Sequence, residues 1–270
     1  MRYIHLISLT ICVACAANKP APEDPETLLG KIRSRTAAHL ARLPHYTCHE
    51  VINRLLRQGS TWNRLDTVEI EVAIVDHEEL FAKAGADRFE ERVIDRVVPT
   101  GTIGNGSFGT HLNILFLQDV ATFSYAGMCK KDGHQTYRYN FVVPLEKSRF
   151  LVKHSGAQGV VPYEGSVWVD ADTLDLVRVD VKVKHMAREL GIRSIDEVMH
   201  YTVMQIGDTE TVLPHKSELG VTDDSGLYSL NLVELRSCRE FQSDSIVKYE
   251  TPSQGSAARE QQEPREQQEH

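Results

Sequence analysis

Near the start of the chain, His45, Cys48, His49 and Glu50 are the side chains with the most chemical reach. On a helix, His45 and His49 would share a face and hold zinc. Pro44 precedes them, however, and Thr47, Val51 and Ile52 favour a strand, on which residues four apart stand about 13 Å from each other. No H-E-x-x-H or C-x-x-C spacing completes the set, so no metal ligand is assigned. Gly104–Gly109 (GNGSFG) matches the G-x-G-x-x-G dinucleotide fingerprint, which needs a βαβ unit and an acid about 20 positions on. That later region reads YAGMCK, and a glycine-rich turn entering a helix is the better account; no cofactor is assigned. Asp170, Asp172 and Asp175 suggest a calcium loop, but the positions requiring Gly and Glu hold Asp175 and Val181. A hairpin between two Val-rich strands explains these aspartates. There is no G-x-S-x-G elbow, and nothing local activates Cys129 as a nucleophile. Lys130 and Lys131 read as turn lysines. No catalytic residue is assigned; an enzyme here would have to assemble its acids from separate strands.

The elements that must carry these residues follow from periodicity. Asp24-Pro25-Glu26 combines an N-cap, a proline at the first helical position and an acidic first turn. Leu28, Ile32, His39, Leu40 and Leu43 recur near helical spacing up to Pro44, which predicts an amphipathic helix over 25–42 lying on a sheet. The period then changes to two. Val68, Ile70, Val72 and Ile74 alternate with polar or small residues, as do Tyr137, Tyr139 and Phe141, and Val177, Val179, Val181 and Val183. Further strands are expected at 46–56, 78–83, 120–127, 149–155, 165–170, 196–206, 210–220, 227–240 and 245–249, joined by short polar turns. Parallel strands would need crossovers, so the pattern is an antiparallel meander. A central helical insert interrupts it, with Phe89, Val93 and Val97 on one short helix and Leu112, Leu115 and Phe116 buried on a second over 107–118.

At the N-terminus, Arg2 precedes an apolar stretch from Ile4 to Ala14, too short for a bilayer span of roughly 20 residues. Small residues follow, and residues 1–17 read as a secretory signal. Two processing routes compete: cleavage after the A-x-A site Ala14-Cys15-Ala16, or acylation of Cys15 as in a bacterial lipoprotein. Residues 18–24 read as a linker, 25–250 as one β-rich domain, and 251–270, which lack any large apolar residue, as a disordered tail.

A net charge of -8 argues against a nucleic-acid partner. Membrane association is expected only if Cys15 is acylated. Outside the signal stand Cys48, Cys129 and Cys238, enough for one disulfide and one free thiol in an oxidising compartment; spacing does not choose the pair.

The stretch 165–180, GSVWVDADTLDLVRVD, resembles the strand–turn–strand hairpin of outer-membrane lipoprotein-sorting proteins of the LolA/LolB-like family. Segments 43–48 (LPHYTC) and 237–241 (SCREF) are similar to pieces of exported bacterial proteins. The resemblance loosely covers 40–250. It implies a mainly β, α+β fold: an incurved antiparallel sheet, or half-open barrel, with helices covering its concave face. It implies a non-catalytic binder or carrier of a hydrophobic ligand or lipidated partner, in the periplasm or anchored to the outer membrane. It also implies a disulfide between Cys48 and Cys238. Two other readings stay open from the residues alone: an envelope hydrolase, and a sensor or scaffold acting through protein contacts.

Overall fold

A computed structural model describes residues 23–76, 78–86, 88–89, 94–98, 112–184 and 186–241. Cys15, the glycine-rich 104–109 segment, the strand expected at 245–249 and the C-terminal tail lie outside these residues.

Helix α1 spans Pro25–Arg42. The Asp24 carboxylate accepts the Thr27 N–H at 2.9 Å, and this bond holds its pKa below the ordinary carboxylate value. At the other end, Leu43 N–H reaches the Leu40 carbonyl and Pro44 stops propagation. Leu28, Ile32, Thr36 and Leu40, spaced four apart, form the buried stripe together with Leu29. His39, placed on that stripe by spacing alone, instead sits at its edge and makes a polar contact described below.

Twelve strands follow: β1 Tyr46–Gln58, β2 Thr61–Val75, β3 Glu78–Lys83, β4 Thr122–Lys131, β5 His134–Val143, β6 Leu151–His154, β7 Ala157–Val160, β8 Tyr163–Asp170, β9 Leu176–Val183, β10 Ile192–Ile206, β11 Thr209–Asp223 and β12 Tyr228–Glu240. Ten of them form one antiparallel sheet in the order β3-β2-β1-β12-β11-β10-β9-β8-β5-β4. The two ends do not pair, so the sheet is open. β6 and β7 form a separate hairpin between β5 and β8. Most connections are tight turns between sequence neighbours, as the short polar segments require. Two pairings join strands that are not sequence neighbours: β5 with β8, around the β6–β7 hairpin, and the first strand with the last, β1 with β12.

Cys48 and Cys238 are joined by a disulfide across the β1–β12 pair, with Cα atoms 4.1 Å apart and 190 residues between them in sequence. The β1–β12 register slips between Thr47 and His49, and Ser237 there has a positive φ of 50°. This bulge sets both sulfurs on one side of the sheet. Cys129 is free and buried, its Sγ 3.8 Å from Thr136 Oγ1.

Of the two helices expected in the central insert, residues 90–93 and 99–111 lie outside the described residues; the described parts form two short turns. Ile94–Arg96 is a single 3₁₀ turn that buries Ile94 and Val98, whereas Val97 is only partly covered. Asn113–Leu117 is a wide helical turn that buries Leu115 and Phe116, next to buried Leu112, as the spacing predicts.

The core divides in two. One cluster gathers α1, the 112–117 turn and the strands from β4 to β11. The other gathers Tyr46, Ile52, Ile70, Val72 and Phe81 on β1–β3 with Leu235 on β12. The outer half of the β10–β11 hairpin serves both: Tyr201 and Val212 belong to the first cluster, Ile206 and Leu213 to the second.

Candidate functional site

Strand register resolves the sheet into rows of side chains. On the face covered by α1, Val68, Ile52, Val233, Ser217, Met199, Val179, Val167, Tyr139 and Tyr125 stand opposite one another from β2 to β4. Only Ser217 in this row is not apolar or aromatic. The row arises because each strand repeats with period two, so one register brings every apolar face to the same side.

A second inner row runs Asp66, Arg54, Asn231, Leu219, Glu197, Val181, Gly165, Phe141 and Phe123. Its β9–β4 end is apolar, whereas toward β1 it carries the buried polar residues Arg54, Asn231 and Glu197. Arg54 donates from Nε to Asp66 at 2.6 Å. Gly165 is required where it stands. A Cβ there would lie 2.0 Å from the Asp180 carbonyl oxygen and 2.6 Å from Cζ of Phe141, whose ring lies across this position.

Three polar anchors hold α1 over the apolar end of these rows. Tyr139 donates its hydroxyl to the Pro25 carbonyl at 2.8 Å. Arg35 donates to both Asp175 oxygens, at 2.8 and 3.2 Å. His39 Nε2 lies 2.8 Å from Asp175 Oδ1. Burial pushes the Asp175 carboxyl upward, but the Arg35 and His39 hydrogen bonds outweigh it and hold the pKa below the ordinary carboxylate value. Between helix and sheet, Thr36, Leu40, Leu112, Leu176 and Val212 help to line a cavity of about 10 Å³. That is room for about one water, against the roughly 300–1,000 Å³ of a site for a drug-sized ligand.

Glu50, on the inner side of β1, is 2% exposed, and its Oε2 has no hydrogen-bond partner. Burial, reinforced by the like charge of Glu79, pushes its pKa up to about 8, so it is largely protonated at neutral pH. Glu197 is buried on β10. Two strands lie between β1 and β10, and Glu50 is four residues along β1 from Arg54, the residue in Glu197's row, so the two acids stand more than about 14 Å apart along the sheet. That spacing leaves no proton-sharing acid pair between them.

The residues singled out by type are dispersed. His45 pairs with Asp76 at 3.1 Å, whereas His49 lies between Glu71 and Glu69 at 3.1 and 3.2 Å. Among the described residues, no three His, Cys, Asp or Glu side chains converge as a metal site. Asp170 shapes the β8–β9 turn by accepting the N–H groups of Asp172 and Thr173. Asp175, read as one more turn aspartate, is the residue that fastens α1. Its partners are 136 and 140 positions away, and no local signal points to them.

No protein-family model matches the chain, and no curated protein matches it in sequence. Several solved structures are similar to it, among them these three. One is a domain named for outer-membrane lipoprotein sorting from Vibrio parahaemolyticus, with 11% identity, 81% of this chain and 95% of that one covered, and a TM-score of 0.41. Another is a DUF1329 family protein from Desulfovibrio piger, with 11% identity, coverages of 81% and 94%, and a TM-score of 0.39. The third is the lipoprotein LppX of Mycobacterium tuberculosis, with 12% identity, coverages of 77% and 94%, and a TM-score of 0.27. Similarities at this level leave the function of the chain to its own geometry.

Proposed function

We propose that this chain is an exported envelope protein that holds a hydrophobic ligand, either an acyl chain or the lipid of a lipidated partner, on the inner face of its sheet. One observation carries the reading. Among the described residues, the apolar rows from β4 to β9 are shielded from water by one helix, one short turn and the small β6–β7 hairpin, and the sheet itself stays open rather than closing into a barrel. The helix has few polar anchors, at its N-terminus, middle and last turn. With about 10 Å³ between helix and sheet, a ligand takes the place of the α1 side chains rather than filling an existing pocket. Lifting α1 uncovers Tyr137, Tyr139, Phe141, Val167, Val179 and Val181, a surface that matches an acyl chain and whose only polar side-chain groups are the two tyrosine hydroxyls.

Within the same proposal, residues 1–17 direct export, 18–24 form a tether, 25–250 form the binding domain and 251–270 form a disordered tail. Processing at Cys15 decides between an anchored lipoprotein and a diffusing carrier. Native mass spectrometry of the protein purified from its own envelope tests the reading. Co-purified lipid, together with binding of a fluorescent acyl probe that Asp175→Asn strengthens, is the expected result. A ligand-free protein that binds no acyl probe, even with the Asp175 anchor removed, overturns it. The same intact mass reports the processing at Cys15.

A further inference from the structure

On the opposite, outer face the row directly behind the first apolar one is strongly polar. Lys216, His200, Arg178, Trp168 and Arg138 stand opposite one another in register across five adjacent strands, β11 to β5. Lys131, at the end of β4, reaches over the same indole. We propose that Lys131, Arg138 and Trp168 form a binding site for a phosphate dianion, either free or carried as a monoester on a lipid headgroup.

Three cations surround Trp168. Lys131 Nζ lies 4.8 Å from the ring centroid, Arg138 Cζ 5.4 Å and Arg178 Cζ 5.7 Å. Arg178 is neutralised by Asp180, at 2.5 and 3.2 Å, and lies 3.9 Å from Asp132. Asp132 is also bound to His200 at 3.1 Å. Lys131 and Arg138 have no carboxylate partner among the described residues, so two positive charges are left uncompensated on a chain of net charge -8.

The hydrogen-bond inventory points the same way. Trp168 is 6% exposed, and its indole N–H has no acceptor. Arg138 donates from Nη2 to Ser166 Oγ at 3.3 Å, while its buried Nε–H has no acceptor. Buried donors without acceptors are rare, and both are met by one group rich in acceptor oxygens. A phosphate near pH 7 carries about -1.5 to -2 charge, which matches the two free cations, and its oxygens suit the planar guanidinium. The anion enters as the Lys131 and Arg138 side chains swing off the indole. This site lies on the other side of the sheet from the acyl-chain surface, and its fate does not depend on that reading.

Trp62 is the only other tryptophan, so in the Trp62→Phe chain the fluorescence reports Trp168 alone. Inorganic phosphate, titrated against chloride at constant ionic strength, is expected to give a saturable change in Trp168 emission. The apparent affinity should fall at least tenfold in Arg138→Gln and in Lys131→Gln. If Arg138→Gln proves unfolded, Lys131→Gln keeps the test, because that half-buried side chain makes no hydrogen bond to the described residues. A parallel titration uses phosphatidylcholine vesicles with and without phosphatidic acid. A response to free phosphate assigns the site to the soluble anion; a response only to phosphatidic acid vesicles assigns it to a lipid headgroup. No saturable response to either, or a response unchanged in both variants, overturns the proposal.

Discussion

His39 Nε2 and Asp175 Oδ1 lie 2.8 Å apart, joining the last turn of α1 to the β8–β9 turn across 136 residues of sequence. Both side chains are nearly buried, at 11% and 12% exposure, so this contact is much better shielded than a surface ion pair. Asp175→Asn leaves Arg35 and His39 with a weaker, uncharged acceptor and is expected to lower stability by about 1–3 kcal/mol. The folded-state pKa of Asp175 is depressed, so its contribution is present above the unfolded value and is lost as pH falls through the folded one. Urea unfolding of the variant should therefore show a flatter decline below about pH 4 than the wild type. An identical acid limb in both proteins would contradict the assignment.

Glu50 has the opposite sign. With its folded pKa raised to about 8, the native state binds a proton that the unfolded chain releases near the ordinary value of 4.5. Stability from this group is full below pH 4.5 and is lost progressively as pH rises through about 8. Glu50→Gln preserves the shape of the neutral acid without the ionisable proton. Its urea midpoint should match the wild type below about pH 4.5 and exceed it at pH 8–9, by an amount on the order of several kcal/mol in ΔG. Parallel pH profiles for the two proteins would sink the claim.

The Cys48–Cys238 bond closes nearly the whole domain. In the chain-entropy model a loop of 190 residues corresponds to about 5 kcal/mol. Reduction, or the Cys48→Ser/Cys238→Ser pair, should lower the free energy of unfolding by about 2–5 kcal/mol. Thiol titration of the unfolded, unreduced domain should find one free thiol, that of Cys129. An unfolding midpoint insensitive to reductant would exclude this role.

Gly165→Ala tests the packing of the apolar rows. The added methyl meets backbone 2.0 Å away as well as the Phe141 ring, so strands must move and the expected loss is about 1–3 kcal/mol. Gly159→Ala is the control: its nearest neighbour is a Leu190 methyl at 3.6 Å, and its effect should stay within about 1 kcal/mol. Equal thermal shifts for the two variants would refute the crowding argument.

Much of the fold was legible because its signals are local. The Asp24 cap, Pro25 and the four-residue spacing predict α1 at its observed bounds, Pro25–Arg42. The expected strand at 78–83 coincides with β3, and the Tyr137–Phe141 and Val177–Val183 alternations fall on β5 and β9. β7, with its sequence AQGV, has no alternation to read and was missed. The first half of β2, residues 61–67, is largely exposed on both faces and lacks the period-two signature for the same reason. The candidate site was less visible. Trp168 and Arg178 read as hairpin residues, and their stacking needs the bulged register of β8 against β9.

What the sequence determined by itself is which side of each element is apolar, because period 2 and period 3.6 are properties of neighbouring residues. From this follow a sheet with one dry face, a helix to cover it and a polar outer row. Tertiary structure decided the partners. The strand order that puts β1 against β12, the joining of Cys48 to Cys238 and the fastening of α1 by Asp175 all link residues more than 100 positions apart. Many strands of similar pattern can pair with equal local satisfaction. The choice among them comes from burying both core clusters and satisfying their polar groups at once, a condition that only the assembled chain can meet.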